Sequence, residues 1–133
     1  MKYWIVPSNN KLFRMEAALR ANNGILDWQT GKMSVGDIVF MYKTMPDGCI
    51  KYMMEVVKTG FTRQDAIDQR AFWEDKEQLD NSNKIYSRLK MIEALDERKL
   101  SLYSLRLHGV NGNIQGKQTC PKETLEYILG TLK

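Results

Sequence analysis

The middle of the chain contains two long segments rich in β-branched, aromatic and other apolar residues, joined by a turn. The first, residues 38–43, is apolar up to its last position, and the second, residues 50–61, presents apolar side chains on both faces. The Pro-Asp-Gly sequence at 46–48 between them is a turn signal. Two strands joined by so short a connection pair antiparallel. The pattern therefore predicts a β-hairpin that has to be covered on both faces by the rest of the chain.

Extended and helical segments precede this hairpin. An aromatic and β-branched run at 3–6 ends at Pro7, which predicts a first buried strand. Apolar residues recur at helical spacing over 11–21, and the Asn-Asn-Gly that follows is a common helix end. Residues 25–28 form a further short extended segment.

The rest of the chain alternates between polar and core-forming segments. Residues 62–84 form a polar excursion, predicted to hold a short helix anchored at Ala71-Phe72-Trp73. A strand is predicted at 86–94, a short helix at 101–108, and a terminal helix from Pro121. This order predicts an α+β fold, a curled antiparallel sheet or small β-barrel with flanking helices, in a single domain over residues 1–133.

Composition favours a cytoplasmic protein without a cofactor. The chain has no apolar stretch of the roughly 20 residues that a membrane helix needs, and its first residues do not resemble a signal peptide. Cys49, Cys120 and the single histidine, His108, match no metal-binding spacing, so neither a metal nor another cofactor is expected. The net charge of +4 slightly favours a polyanionic partner.

Motifs for catalysis are not found in the sequence. It has no phosphate loop, dinucleotide fingerprint, nucleophile elbow or paired metal-binding histidines. His108 follows a leucine-rich segment and precedes Gly109, which favours a helix end over a proton shuttle. The acidic run at 74–77 is typical of a solvated face. We therefore expect a binding protein and not an enzyme.

Several segments, taken together, resemble the EVE domain of the PUA-like superfamily. The strongest is Val-Gly-Asp-Ile-Val-Phe-Met-Tyr at 35–42, and the aromatic first strand with its polar turn at 3–8 is also similar to the family. Further similarity lies at Asp27-Trp28, 50–61, 86–89 and 112–116. The resemblance implies a small PUA-like β-barrel whose pocket receives a flipped, modified base. A related barrel, the ASCH domain, is the alternative, but its basic and acidic signature is not found.

The resemblance directs attention to residues suited to reading a base. A flipped base needs flat apolar walls and a few fixed polar groups at its edge. The expected base-binding pocket comprises Ser8, Asn9, Trp28, Gln29, Tyr42 and Lys43. Lys51 and Arg88 are expected to contact backbone phosphates. Trp73 is a candidate second wall if the excursion folds over the pocket.

Each of these residues also has a purely structural interpretation. Ser8 and Asn9 suit a helix cap, Tyr42 a half-buried strand tyrosine, and Trp73 a hydrophobic loop anchor. Arg88 on an alternating strand suits a salt bridge.

The predicted function is recognition of modified cytosine in DNA, as the specificity module of a restriction system with a fused or separate nuclease. The alternatives are a PUA-like RNA-binding protein, an enzyme acting on a small nucleotide-like molecule, and a protein-interaction domain.

Overall fold

A computed structural model describes residues 1–9, 11–74 and 84–132. Three helices and six strands lie within these residues. The strands are β1 (Tyr3–Ser8), β2 (Ile25–Trp28), β3 (Ile38–Lys43), β4 (Cys49–Phe61), β5 (Tyr86–Ala94) and β6 (Gln118–Thr119). The helices are α1 (Met15–Ala21), α2 (Leu102–Leu107) and α3 (Lys122–Gly130). Short 3₁₀ turns cover Arg63–Asp65 and Arg70–Phe72.

The strands form one mixed sheet in the order β2-β5-β4-β3-β1-β6. The predicted hairpin is present as the antiparallel pair β3–β4, and β5 extends it on the other side of β4. However, β1 runs parallel to β3, with Tyr3 opposite Ile38 and Ser8 opposite Lys43. The prediction of an antiparallel sheet was wrong for this pair, because the chain returns from β1 through α1 and β2 before it enters β3.

The sheet separates two hydrophobic cores, and the alternation of β3 shows how. Val39 and Met41 point to the core beneath α1, whereas Ile38, Phe40 and Tyr42 point to the core beneath α2 and α3. All six residues of β3 are buried. Burial of each large apolar side chain contributes about 1.5–3 kcal/mol, so the central strand anchors both layers.

The Gly-Asp pair at 36–37, before β3, joins the start of β3 to the start of β1. Gly36 has a φ of +96°, a left-handed conformation that favours glycine. The buried Asp37 carboxylate accepts hydrogen bonds from the Lys2 and Ser34 amides and from the Trp4 indole nitrogen, at 2.9–3.1 Å. Burial opposes the charge, but these hydrogen bonds outweigh it and hold the pKa of Asp37 below its ordinary value.

Helix α1 begins four residues later than the predicted segment. The backbone carbonyl of Asn9 accepts hydrogen bonds from the amides of Leu12 and Phe13, which makes a turn. Phe13 then forms an isolated antiparallel bridge with Trp73. Tertiary pairing with the excursion therefore overrides local helix propensity over residues 11–14.

The C-terminal elements follow the predicted pattern. Helix α2 is capped by Ser101, whose hydroxyl accepts a hydrogen bond from the Ser104 amide, and α3 follows Pro121. Cys49 and Cys120 are both free and buried. Within the described residues, no helix is long and apolar enough to cross a membrane.

Candidate functional site

A cavity of about 300 Å³ opens between the β2–β5 edge of the sheet and the first part of the excursion. One side is formed by the end of β2 with Gln29 and the start of β5. The other side is formed by residues 63–73. The lining residues are Asp27, Trp28, Gln29, Arg63, Ala66, Ile67, Asp68, Gln69, Arg70, Trp73 and Tyr86. The volume lies at the lower end of the range of small-molecule sites, about 300–1,000 Å³.

Two stacked indoles form the apolar wall of this cavity. The rings of Trp28 and Trp73 are nearly parallel, with an interplanar angle of 9° and centroids 5.6 Å apart. Phe13 packs against both, with centroid distances of 4.9 and 4.7 Å. The indole stack therefore has rigid support from the α1 core, and it joins the sheet to the excursion.

Asp27, the residue before Trp28, links the two sides of the cavity, the sheet edge and the excursion. Its carboxylate, which is buried, receives two hydrogen bonds from the Arg88 guanidinium on β5 and one, at 2.7 Å, from the Ile67 amide. Hydrogen bonding to Asp27 raises the pKa of Arg88 above its ordinary value. The carboxylate thus fixes β2, β5 and the excursion relative to one another.

Gln69 stabilises the same edge by hydrogen bonds from its side chain to the backbone of Asp27. Its carboxamide oxygen accepts from the Asp27 amide at 2.9 Å, and its carboxamide nitrogen donates to the Asp27 carbonyl at 2.8 Å. This pair of bonds copies what a neighbouring strand would supply to the edge strand β2. A single buried side chain therefore closes the edge of the sheet beside the cavity.

The polar groups that face the cavity are mostly neutral or internally paired. Gln29 donates to the Tyr86 hydroxyl at 3.0 Å. Arg70 makes two hydrogen bonds to the Asp68 carboxylate and lowers the pKa of Asp68 to about 2. In the part of the chain that the structure describes, the Gln29 carboxamide oxygen and the Tyr86 hydroxyl proton have no other partner. Both remain available to an uncharged planar ligand.

The cavity brings together two of the six predicted pocket residues, Trp28 and Gln29. Ser8 and Lys43 lie side by side on β1 and β3, beside α1. Asn9 is exposed, and its side chain accepts a hydrogen bond from the Lys11 amide. Tyr42 is 2% exposed and packs in the core beneath α2 and α3, where burial raises the pKa of its hydroxyl.

The two residues expected to contact phosphates both have intramolecular partners. Lys51 lies 3.7 Å from a carboxylate oxygen of Glu16, and its ammonium lies over the ring of Tyr52. Arg88 is engaged by Asp27 and lies over the ring of Phe61, 5.5 Å from the ring centroid. Phosphate contact by these residues stays a prediction, and for Arg88 it would compete with the buried Asp27 carboxylate.

Sequence reasoning missed the residues that the excursion contributes. Arg63, Gln69 and Tyr86 line the cavity, but they stand in or beside a polar segment without periodicity. The signal available in the sequence was the Phe72-Trp73 pair, which marks the point where this segment returns to the core. Within residues 1–9, 11–74 and 84–132, no three His, Cys, Asp or Glu side chains come together to hold a metal ion.

The family model of the EVE domain matches residues 2–120, which is most of the chain. The chain belongs to the EVE domain family. The match includes both sides of the cavity and both strands, β2 and β5, that form its edge. A search of curated proteins finds no match to this EVE domain.

Solved structures share the fold at low sequence identity. Human THYN1, in a complex with 5-methylcytosine-containing DNA, has a TM-score of 0.67 and 13% identity, over 98% of the EVE domain chain and 96% of its own. ASCH from Zymomonas mobilis has a TM-score of 0.67 and 9% identity, covering 97% and 94%. A Pseudomonas putida protein has a TM-score of 0.65 and 17% identity, covering 97% and 98%.

Proposed function

We propose that this EVE domain is a non-catalytic nucleic-acid-binding module that takes one flipped base, a modified cytosine of DNA, into the cavity beside Trp28. The observation that carries the proposal is the indole stack of Trp28 and Trp73 facing the neutral Gln29–Tyr86 pair across one small cavity. Stacking on an aromatic ring contributes about 1–3 kcal/mol per base, so this wall supplies much of the affinity.

The polar groups favour a base over a charged ligand. Asp27 and Asp68 are each neutralised by two hydrogen bonds from an arginine. A neutral amide beside a hydroxyl suits the edge of a base, which presents donors and acceptors without charge. Gln29 is therefore proposed as the residue that reads the base, and Trp28 and Trp73 as the residues that stack with it.

Family membership supports the nucleic-acid partner, and one structural relative supports DNA. THYN1 has the same fold and was solved with 5-methylcytosine-containing DNA. By analogy, the partner of this chain is DNA with a modified cytosine. A fused or separate nuclease would then use the domain as its specificity module.

The test is a fluorescence titration with matched duplexes that carry cytosine, 5-methylcytosine or 5-hydroxymethylcytosine at one central position, at a fixed salt concentration. Trp73→Ala removes one indole, and Gln29→Ala removes the proposed reading group. Tyr103→Ala is the matched aromatic control, because Tyr103 is 74% exposed on α2 and lies outside the cavity.

We expect a preference for one modified duplex that Trp73→Ala and Gln29→Ala weaken by about tenfold or more and Tyr103→Ala leaves unchanged. Tighter binding to RNA of the same sequence would favour the RNA-binding alternative. Equal affinity of all duplexes for the wild type, unaffected by the cavity variants, would contradict the proposal.

A further inference from the structure

A lysine stands largely buried on β3, away from the cavity described above. Lys43 is 7% exposed, although it ends a strand whose other residues are apolar or aromatic. In the described part of the chain, no acceptor or carboxylate takes a hydrogen bond from its ammonium. Ser8 Oγ, and not Lys43 Nζ, is the described side-chain polar atom that is both buried and unpartnered, so the Lys43 ammonium keeps contact with solvent. Its unpaired charge is therefore open to an anion at the surface.

Ser8 gives a second, independent sign at the same place. It stands directly opposite Lys43 in the parallel pair of β1 and β3, on the face that carries Val6 and Met41. Its hydroxyl oxygen is buried, with no hydrogen-bond partner. A buried hydroxyl that is not hydrogen-bonded destabilises the fold, and a hydrogen bond to a ligand oxygen would remove that cost.

Lys43 lines a surface pocket of about 400 Å³ beside α1, and Ser8 stands beside Lys43 on β1. The other lining residues are Arg14, Glu16, Ala17 and Arg20, so three cations face one carboxylate. Glu16 is already shared between Arg20 and Lys51, at 3.2 and 3.7 Å.

Within the described residues, the other carboxylates near Lys43 belong to Asp47, which is exposed in the turn before Cys49, and to Glu74 and Glu97. Glu74 binds Arg14 at 2.9 Å. Glu97 lies 3.6 Å from the thiol of Cys49, the residue opposite Lys43 on β4. None of these carboxylates pairs with Lys43, which leaves its charge for an anion that enters from solvent.

We propose that this pocket is a phosphate-binding site, in which Lys43 and the Ser8 hydroxyl bind the phosphate oxygens and Arg14 and Arg20 form its basic rim. A tetrahedral phosphate accepts from an ammonium and a hydroxyl at once, and the charge on Lys43 offsets its own. Phosphate binding at this pocket follows from the charge of Lys43 and the unpartnered hydroxyl of Ser8, and it does not depend on whether the cavity takes a base.

The pocket also has a direct link to the cavity. Arg14 follows Phe13, which packs on the indole stack, and its amide donates to the Phe72 carbonyl at 2.8 Å. A phosphate held at Arg14 and a base held at Trp73 would therefore contact adjoining parts of one surface.

Three probes at low salt separate the sources of a phosphate, and amide chemical shifts of Ser8 and Thr44 report binding. The probes are inorganic phosphate, an abasic tetranucleotide with a 5′-hydroxyl, and the same abasic strand with a 5′-phosphate. Sodium chloride at equal ionic strength corrects for non-specific screening. Because the abasic strands carry no bases, failure of the base-reading proposal would leave this result unaffected.

Lys43→Met keeps the length of the side chain and removes its charge, and Ser8→Ala removes only the hydroxyl. Lys122→Met is the matched control, since it removes one exposed lysine from α3. We expect saturable shifts that Lys43→Met weakens by about tenfold or more and Ser8→Ala by a few-fold, with Lys122→Met within about twofold of wild type.

Binding of the 5′-hydroxyl abasic strand would identify an internal phosphodiester as sufficient, and binding only of inorganic phosphate and the 5′-phosphate strand would identify a terminal phosphate. The proposal is overturned if none of the three shifts Ser8 and Thr44 beyond the chloride control. It is equally overturned if Ser8→Ala and Lys122→Met weaken binding alike, an outcome that remains readable even if Lys43→Met does not fold.

Discussion

The Asp27 carboxylate receives both of its arginine hydrogen bonds, at 2.9 and 3.0 Å, from Arg88, the residue directly opposite it on β5. The Asp27 side chain is fully buried, whereas that of Arg88 is 28% exposed. The pair therefore places the Asp27 carboxylate, balanced by Arg88, at the edge of the sheet, where the Ile67 amide of the excursion also binds it. The geometry of the cavity depends on this ion pair.

Arg88→Met is expected to destabilise the fold by about 3 kcal/mol, because it leaves the buried Asp27 carboxylate without a counter-ion. Asp27→Asn together with Arg88→Met removes both charges and should cost less than the sum of the single changes. Urea unfolding of the three variants at pH 7 measures the coupling. Additivity within about 0.5 kcal/mol would show that the two residues do not interact energetically.

Gln69→Ala is expected to cost about 1–3 kcal/mol, because it leaves the buried amide and carbonyl of Asp27 without partners. The local effect should be larger than the global one, with hydrogen exchange at the Asp27 amide faster by about tenfold or more. Exchange mass spectrometry over residues 25–28 measures it. Gln115→Ala, an exposed glutamine, is the control, and an equal response in both variants would contradict the strand-like role of Gln69.

The stability supplied by Asp37 should depend on pH. Its pKa is lowered in the folded state, so its contribution is fully present above the ordinary pKa of an aspartate, about 4, and is lost as the pH falls through the folded-state pKa. Asp37→Asn should therefore be less stable than wild type by about 1–3 kcal/mol at pH 7, and the difference should shrink below about pH 4. Urea unfolding at pH 7, 4 and 3 tests this. A difference that is constant over that range would assign the effect to packing.

Both cysteines should react slowly in the folded protein. Burial raises the pKa of Cys49 to about 11, with Glu97 adding to the shift, and burial raises that of Cys120 to about 12. Because the thiolate is the reactive form, labelling by a disulfide reagent at pH 8 should be slower than for a free thiol by a factor of about 100 or more. Two thiols should react at once in denaturant. Fast labelling of one thiol in native buffer would show that its segment opens readily.

Local pattern was sufficient to predict much of the fold. The β3–β4 hairpin follows from two strand-forming segments and the turn between them, and α3 follows from Pro121 and an apolar stripe. The direction of β1 could not be predicted this way, because alternation of side chains specifies the faces of a strand but not its direction. A parallel partner is decided by the path through α1 and β2, which is a property of the whole chain.

The candidate site was predictable only where a residue stands on a regular element. Trp28 ends a short strand and could be singled out, with Gln29 next to it. Gln69 could not, because its role depends on backbone groups 42 positions earlier in the chain. The sequence also did not reveal that Trp28 and Lys43 lie in different pockets. Both were assigned to one pocket, and only the order of strands in the sheet places them apart.

The contacts that close the cavity join residues 40 to 61 positions apart along the chain. A growing or truncated polypeptide would consequently lack this site until β5 has paired with both of its neighbours. A ligand of the cavity would therefore bind only molecules in which the whole domain is folded. At a concentration 100 times its dissociation constant, it would stabilise the folded domain by about 2.7 kcal/mol. Occupancy of the cavity would therefore also report that the domain is completely folded.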